Sequence, residues 1–388
     1  MIATEQKTVV ILGGGTGGLV TAIQLKKKVG KQARVIVIDK NPNHVYSPSF
    51  LWLMLGRRSA KQIQRPLARL GRKGIEFVQD GIVEIDVAGK RVVTQQHEFG
   101  YDYLVIALGA DLAPEKVPGL AQGGYNLYEL QDVERLQDDL KTFPGGKVAV
   151  VIASLPFKCP AAPYEAAFLL DEYFEKTGVR DKTVISIFTP EALPIPATGP
   201  ENGKAVREMI ETRNIRFIPE VQLASVDPNM KQLVFVGGRS EPFDFLVFVP
   251  PHQGPQVVRE SKVGSEMGWI PVESRTLKTK YENVFAIGDV AAITLISGKP
   301  LPRAGVFAHF EAEVVVASII ASMNGAPAGK EFDGHAFCFL EVGYGKAGLA
   351  SGNFYADPVP DVKMKLPARR WHWGKVLFEK YWLWKWLR

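Results

Sequence analysis

Cysteine is the residue type here with the most redox chemistry to offer, and the chain has two, Cys159 and Cys338. Two are too few for a disulfide scaffold and lack the spacing of a zinc site. Either one alone reads most plainly as a small buried hydrophobe; chemistry needs them as a pair. A second constellation lies near the N-terminus, Gly13-x-Gly15-x-x-Gly18 with Thr16 inside it and Asp39 following 21 residues after Gly18. That spacing supplies a tight turn, close approach of backbone to a pyrophosphate, and close packing of helix on strand. The acid is then placed for ribose hydroxyls. The residues point to a bound dinucleotide and, separately, to thiol chemistry.

These groups need a frame. Residues 8–12 form a β-branched and aliphatic run that ends in the glycines, a helical pattern follows through residue 28, and residues 34–38 read as a second strand. Strand, glycine turn, helix and strand make a βαβ unit of a parallel, doubly wound sheet. Further strands are expected at 76–83, 91–94 and 103–108. A second βαβ-like unit has strands at 147–153 and 184–188 and a helix at 164–174. Residues 284–287 predict another strand, 305–322 the helix behind it, and 337–342 a β interface segment. At 388 residues the chain exceeds what one growing core supports, so two or more domains are expected.

Two further segments distinguish the ligands that the first unit could take. Residues 104–110, with Ala107 and Gly109, resemble the strand-and-glycine element of two-dinucleotide-fold flavoproteins. Residues 283–289, ending in Gly288 and Asp289, resemble their late motif, whose aspartate contacts the ribityl chain. The resemblance covers nearly the whole chain and implies FAD. It implies an α/β fold class with two Rossmann-like folds, the second inserted in the first. Residues 1–115 and 251–325 are then the FAD-binding domain, 116–250 the second fold, and 326–388 a C-terminal interface and docking region.

The second fold has the strand but not the glycines. Ser154-Leu155-Pro156-Phe157-Lys158-Cys159-Pro160 stands where they belong, and the next strand ends in Thr189 and Pro190 without an acid. Prolines remove donors and bulky side chains block close approach, so a pyrophosphate would be held poorly. A nicotinamide dinucleotide is therefore not the expected reductant. Cys159 instead occupies this turn, where a helix N-terminus favours a thiolate. Cys338, in Phe337-Cys338-Phe339, lies beyond the flavin motifs, and two folds could bring the two thiols together.

At this point the sequence resembles sulfide:quinone oxidoreductases and the flavoprotein subunit of flavocytochrome c sulfide dehydrogenase. The residues that carry this are Cys159-Pro160-x-x-Pro163-Tyr164-Glu165, Leu301-Pro302-Arg303-Ala304-Gly305, and Cys338 followed by Phe339. The resemblance implies a Cys159/Cys338 redox pair beside the flavin, Arg303 and Gly305 at the cofactor, and Phe339 and Phe378 around a quinone ring. Hydrosulfide would open the bridge to leave a persulfide and a thiolate. Glu165 reads equally as an acid or base and as a solvated helix glutamate. Two departures stand out: no cysteine falls in residues 120–135, where many of these enzymes have a third, and Arg303 replaces a frequent lysine. No cysteine falls in residues 40–50, so FAD is expected to be non-covalent. The rival readings are a sulfide dehydrogenase subunit serving a cytochrome, a type II NADH:quinone oxidoreductase, and a flavin-binding docking protein.

The net charge of +6 is local: eight Lys or Arg face one acid, Glu379, in the last 26 residues, where five of the seven tryptophans also fall. No nucleic-acid signature accompanies it, so no nucleic-acid partner is expected. Interleaved lysines make residues 366–388 too polar to span a bilayer, but tryptophan at the headgroup level and snorkelling lysines suit its surface. No single apolar face emerges from the helical wheel, so two short helices, or an aromatic contact in a homo-oligomer, are also open. With no Sec-type signal in view, the expected location is peripheral, on the cell membrane.

Overall fold

The computed structural model describes residues 6–327 and 329–388. Residues 1–5 and 328, which fall in the expected segments 1–115 and 326–388, lie outside the described residues. The first sheet has five parallel strands in the order Val284–Ala286, Tyr103–Ile106, Lys7–Leu12, Ala33–Asp39 and Glu76–Gln79. Alternate side chains of each strand enter opposite layers. Val9, Ile11, Val35 and Val105 pack under the helices Thr16–Val29 and Gly305–Met323, while Val10, Leu12, Ile36 and Leu104 face a layer with Ile85, Val92 and Val258. Gly305–Met323 is the one helix among the described residues long and apolar enough to cross a membrane. Its Val314, Val315, Val316 and Ile319 are wholly buried against the first sheet, which makes it a core helix.

The strand expected at 76–83 is in fact two, Glu76–Gln79 and Ile82–Asp86, in different sheets. The Asp80 carboxylate accepts from the amides of Gly81 and Gln96, which turns the chain out of the first sheet.

Between residues 106 and 284 the chain builds a second parallel sheet in the order Tyr125–Asn126, Phe245–Val249, Gly146–Ile152, Thr183–Phe188 and Arg216–Ile218. Helices Ala162–Thr177 and Pro200–Glu211 cover one face through Phe168, Leu169, Val206 and Ile210. The strands His335–Gly343, Lys346–Asn353 and Asp361–Ala368 then form an antiparallel sheet that runs into one C-terminal helix, Arg369–Leu387.

Of the alternatives left open for this segment, two short helices are ruled out by this single helix. Its inner face is mixed: Lys375 meets Glu165, His372 meets Glu341, Glu379 meets Arg58 and Ser49, and Trp382 meets His44, while Trp382, Leu383, Trp386 and Leu387 pack into the core of the first fold. Its outer face exposes Trp373, Leu377, Tyr381 and Trp384, between 49% and 67% each. Buried ion pairs and buried apolar side chains share the inner face while further aromatic side chains lie outside, which is why a helical wheel finds no single apolar side.

Candidate active site

Two helix starts converge at the glycine motif. The first helix begins at Thr16 behind Gly15, with no side-chain cap and no acid in its first turn. The helix Gly305–Met323 also starts uncapped, and a Cβ on Gly305 would stand 3.2 Å from Thr16 Oγ1. Free amide donors and two positive dipole ends suit a pyrophosphate. At two positions the turn allows no side chain: Gly13 has φ +101° and its Cβ would fall 2.4 Å from the Ala107 carbonyl, and one on Gly18 would fall 1.9 Å from that of Gly13. Beside Gly15 a Cβ would meet nothing within 4 Å, so the side where a ligand approaches is open. These observations fit a dinucleotide cofactor. Asp39 does more than await a ribose, since its Oδ2 accepts from the Gly14 amide at 2.6 Å.

The late motif closes the same site. Gly288 donates its amide to Glu311 Oε2 at 2.6 Å, and Arg303 Nε donates to the Asp289 carbonyl at 2.9 Å while its guanidinium stacks 4.0 Å over Trp269. Burial pushes Asp289 upward, opposed by Lys158 and Arg303, and pushes Glu311 to about 8. Glu311 escaped sequence reading because it sits mid-helix with no motif around it.

Arg303 also links the late motif to the thiol. Its carbonyl accepts from the Cys159 amide at 2.6 Å, and Cys159 takes a left-handed φ of 49°. A non-glycine residue in that region is uncommon and stores strain. Tyr128 reaches across to donate its hydroxyl to the Lys158 carbonyl at 2.7 Å. Cys159 and Cys338 line one almost wholly apolar cavity of about 60 Å³, with Ile195, Val206, Phe337 and Met364 among its walls. The cavity gives Cys338 access to water, although protein surrounds it more widely; both cysteines are free thiols.

The expected Cys159 thiolate is corrected. Burial pushes this thiol well above its usual value, with Cys338 and Glu165 adding to the rise and Lys375 only partly offsetting it. Desolvation outweighs the helix start. Cys338 rises to about 11, again through burial first and Glu165 second, against Lys375.

Glu165 is not a solvated helix glutamate. It is 2% exposed, accepting from the Glu341 amide at 2.7 Å and from Lys375 Nζ at 2.8 Å. Burial raises it in spite of Lys375, and Glu165 and Glu341 hold Lys375 protonated against its own burial. Lys375, read from sequence as a snorkelling cation, is therefore a buried member of the site. Phe339 and Phe378 do not touch face to face: Phe337 stands edge-on to both, at 6.0 and 6.1 Å.

The second fold does hold an acid near the end of its strand, which sequence reading missed. Glu191 is buried and turned inward, accepting hydrogen bonds from Tyr164 and Thr189, and burial raises it to about 7.

Fold and site together define a flavin-dependent oxidoreductase of α/β architecture. Residues 7–312 match the family model described as pyridine nucleotide-disulphide oxidoreductase, and the chain belongs to that family. It is 29% identical over 374 residues to the mitochondrial sulfide:quinone oxidoreductase of Mus musculus, covering 92% of this chain and 80% of that one. It is likewise 29% identical over 398 residues to the sulfide-quinone reductase of Aquifex aeolicus, covering 98% and 91%. The X-ray structure of the sulfide:quinone oxidoreductase from Aquifex aeolicus superposes with a TM-score of 0.88 at 27% identity, over 98% of this chain and 91% of that one. The resemblance drawn from the cysteine and arginine segments thus extends along the chain.

Proposed function

We propose that this protein oxidises sulfide at a Cys159/Cys338 pair and delivers the electrons, through non-covalently held FAD, to a membrane quinone. The observation that carries the reading is the shared cavity: two thiols 179 residues apart in sequence line one apolar space, and the Cys159 backbone is bonded to the residue that holds Asp289.

In the oxidised enzyme the two sulfurs are bridged. Hydrosulfide attacks the bridge, one cysteine becomes a persulfide and the other leaves as a thiolate, so sulfide is oxidised and the bridge reduced. Lys375, whose charge lowers Cys338, offsets the negative charge as it forms, and Glu165 fixes Lys375 there and is the candidate proton carrier. When thiolate and persulfide close to a trisulfide, two electrons and one proton leave, and a second hydrosulfide can attack. Bound FAD would accept those electrons and pass them to the quinone. Gly13, Gly15, Thr16, Gly18 and Asp39 would hold its adenosine diphosphate half, with Ala107, Gly109, Gly288, Asp289, Arg303 and Gly305 along the rest.

Phe339 and Phe378 would flank the quinone ring, with Phe337 edge-on to both. The outer face of the helix Arg369–Leu387 would seat the protein on the bilayer, with Lys380, Lys385 and Arg388 at the headgroups. Residues 1–115 and 251–325 would form the flavin domain and 116–250 the second fold. That fold would take no nicotinamide dinucleotide, because Phe157 is buried in its turn and Glu191 is spent internally.

The test is anaerobic flavin absorbance after sulfide and then decylubiquinone, in wild type and Cys338→Ser. Bleaching by sulfide, recovery with quinone and failure of the variant support the proposal. No bleaching by sulfide with rapid bleaching by NADH overturns it.

A further inference from the structure

Trp382, on the inner face of the C-terminal helix, donates its indole Nε1–H to His44 Nε2 at 3.1 Å, and His44 Nδ1 lies 3.0 Å from the Gly14 carbonyl oxygen. An indole nitrogen can only donate, so His44 Nε2 must be bare and Nδ1 carries the proton. His44 therefore donates to Gly14. The Gly14 amide in turn donates to Asp39 at 2.6 Å. Both polar groups of Gly14 in the dinucleotide turn are thus fixed, one by Asp39 at the end of the second strand and the other, through His44, by the C-terminal helix.

All three partners are placed to keep this linkage firm. His44 and Trp382 are 3% and 4% exposed, so no water competes for their bond. The Trp382 ring is also packed among Tyr46, His309 and Trp386 at 5.6–6.1 Å, which fixes its direction. A Cβ on Gly14 would come within 2.5 Å of Leu67, so the turn cannot drift toward that side. Losing the indole donor would leave a buried acceptor on His44, free to rotate and release the Gly14 carbonyl.

We propose that the C-terminal helix clamps the flavin-binding turn: Trp382, acting through His44, is a positioning residue for the Gly13–Gly18 segment, and FAD binding and helix docking reinforce each other. The inference rests on the FAD reading above. Coupling of this kind is reciprocal, so it has two independent readouts. In Trp382→Phe, which removes the N–H and keeps a ring, the FAD dissociation constant, measured by titrating apoprotein and following flavin fluorescence, should rise roughly tenfold, the effect of one unsatisfied buried acceptor. Trp386→Phe, on the same buried face but without a bond to His44, should stay within about twofold. Equal weakening in both variants, or none in Trp382→Phe, overturns the clamp. In wild type, FAD should slow amide exchange along residues 369–387, and unchanged exchange there overturns it even if the variant does not fold. Wild-type apoprotein that binds no FAD overturns the flavin reading itself.

Discussion

Lys375 and Glu165 lie 2.8 Å apart in a buried ion pair that ties the C-terminal helix to the helix Ala162–Thr177. Neither residue can lose its partner cheaply, because a lone charge left in that space has no water. The pair also stands within electrostatic reach of both cysteines. It joins three parts of the chain at the site where the thiols meet: the second fold, the antiparallel sheet through the Glu341 amide, and the C-terminal helix.

Lys375→Met should therefore destabilise the protein by about 3–5 kcal/mol, the range for breaking a buried pair on one side. The double variant Lys375→Met, Glu165→Gln should recover much of that loss, since no unpaired charge remains. Urea unfolding of the three proteins measures both effects, and additive losses would show that the pair is not energetically coupled.

The raised Cys338 thiol gives a pH dependence of defined sign. Only the thiolate is alkylated, and the folded-state value of about 11 lies above the ordinary 9. In the reduced protein, alkylation of Cys338 by iodoacetamide should be roughly 100-fold slower at pH 8 than for an ordinary thiol and should climb through about pH 11. Mass spectrometry of the peptide across pH checks it. In Lys375→Met, with the lowering charge gone, the climb should move higher still.

The exposed face of the C-terminal helix separates docking from folding. Trp373, Leu377 and Trp384 are 61%, 67% and 56% exposed, so their replacement removes little packing. The triple change to alanine should leave the thermal midpoint nearly unaltered but lower co-sedimentation with liposomes by about tenfold for each side chain, at about 1.5 kcal/mol of apolar transfer apiece. Unchanged sedimentation would count against this face as the membrane contact.

How much of this was legible in the sequence depends on whether the partners are local. The glycine turn and its strands were, because Gly13, Gly15, Gly18 and Asp39 occupy one βαβ unit whose spacing is set by backbone geometry. The inner face of the C-terminal helix was not. Lys375 and Glu379 look like interruptions of an aromatic stripe, and Trp382 like one more of its rings, until Glu165, Arg58 and His44 arrive from distant segments to pair with them. Glu191 was missed for a related reason: a motif search looks for an acid at a strand end, and this one lies two residues beyond Thr189, turned toward Tyr164. The Cys159 thiolate failed on magnitude, since a helix start is worth less than full desolvation.

Glu311 offers a stability test beside Gly288. Burial carries it from an ordinary 4.5 to about 8, and the Gly288 amide and nearby Asp289 pull in opposite directions without cancelling that. A carboxyl that binds its proton more tightly in the folded state contributes fully below the unfolded value, and that contribution is lost as pH rises from 4.5 through 8. Wild-type stability should therefore fall across this window, by up to roughly 1.4 kcal/mol per pH unit from this group. Glu311→Gln keeps an oxygen for the Gly288 amide but has no proton to lose. Relative to wild type it should gain roughly a few kcal/mol at pH 8.5 and little at pH 5. Urea unfolding of both apoproteins at the two pH values decides it, and an equal difference at both would mean that Glu311 does not titrate in this window.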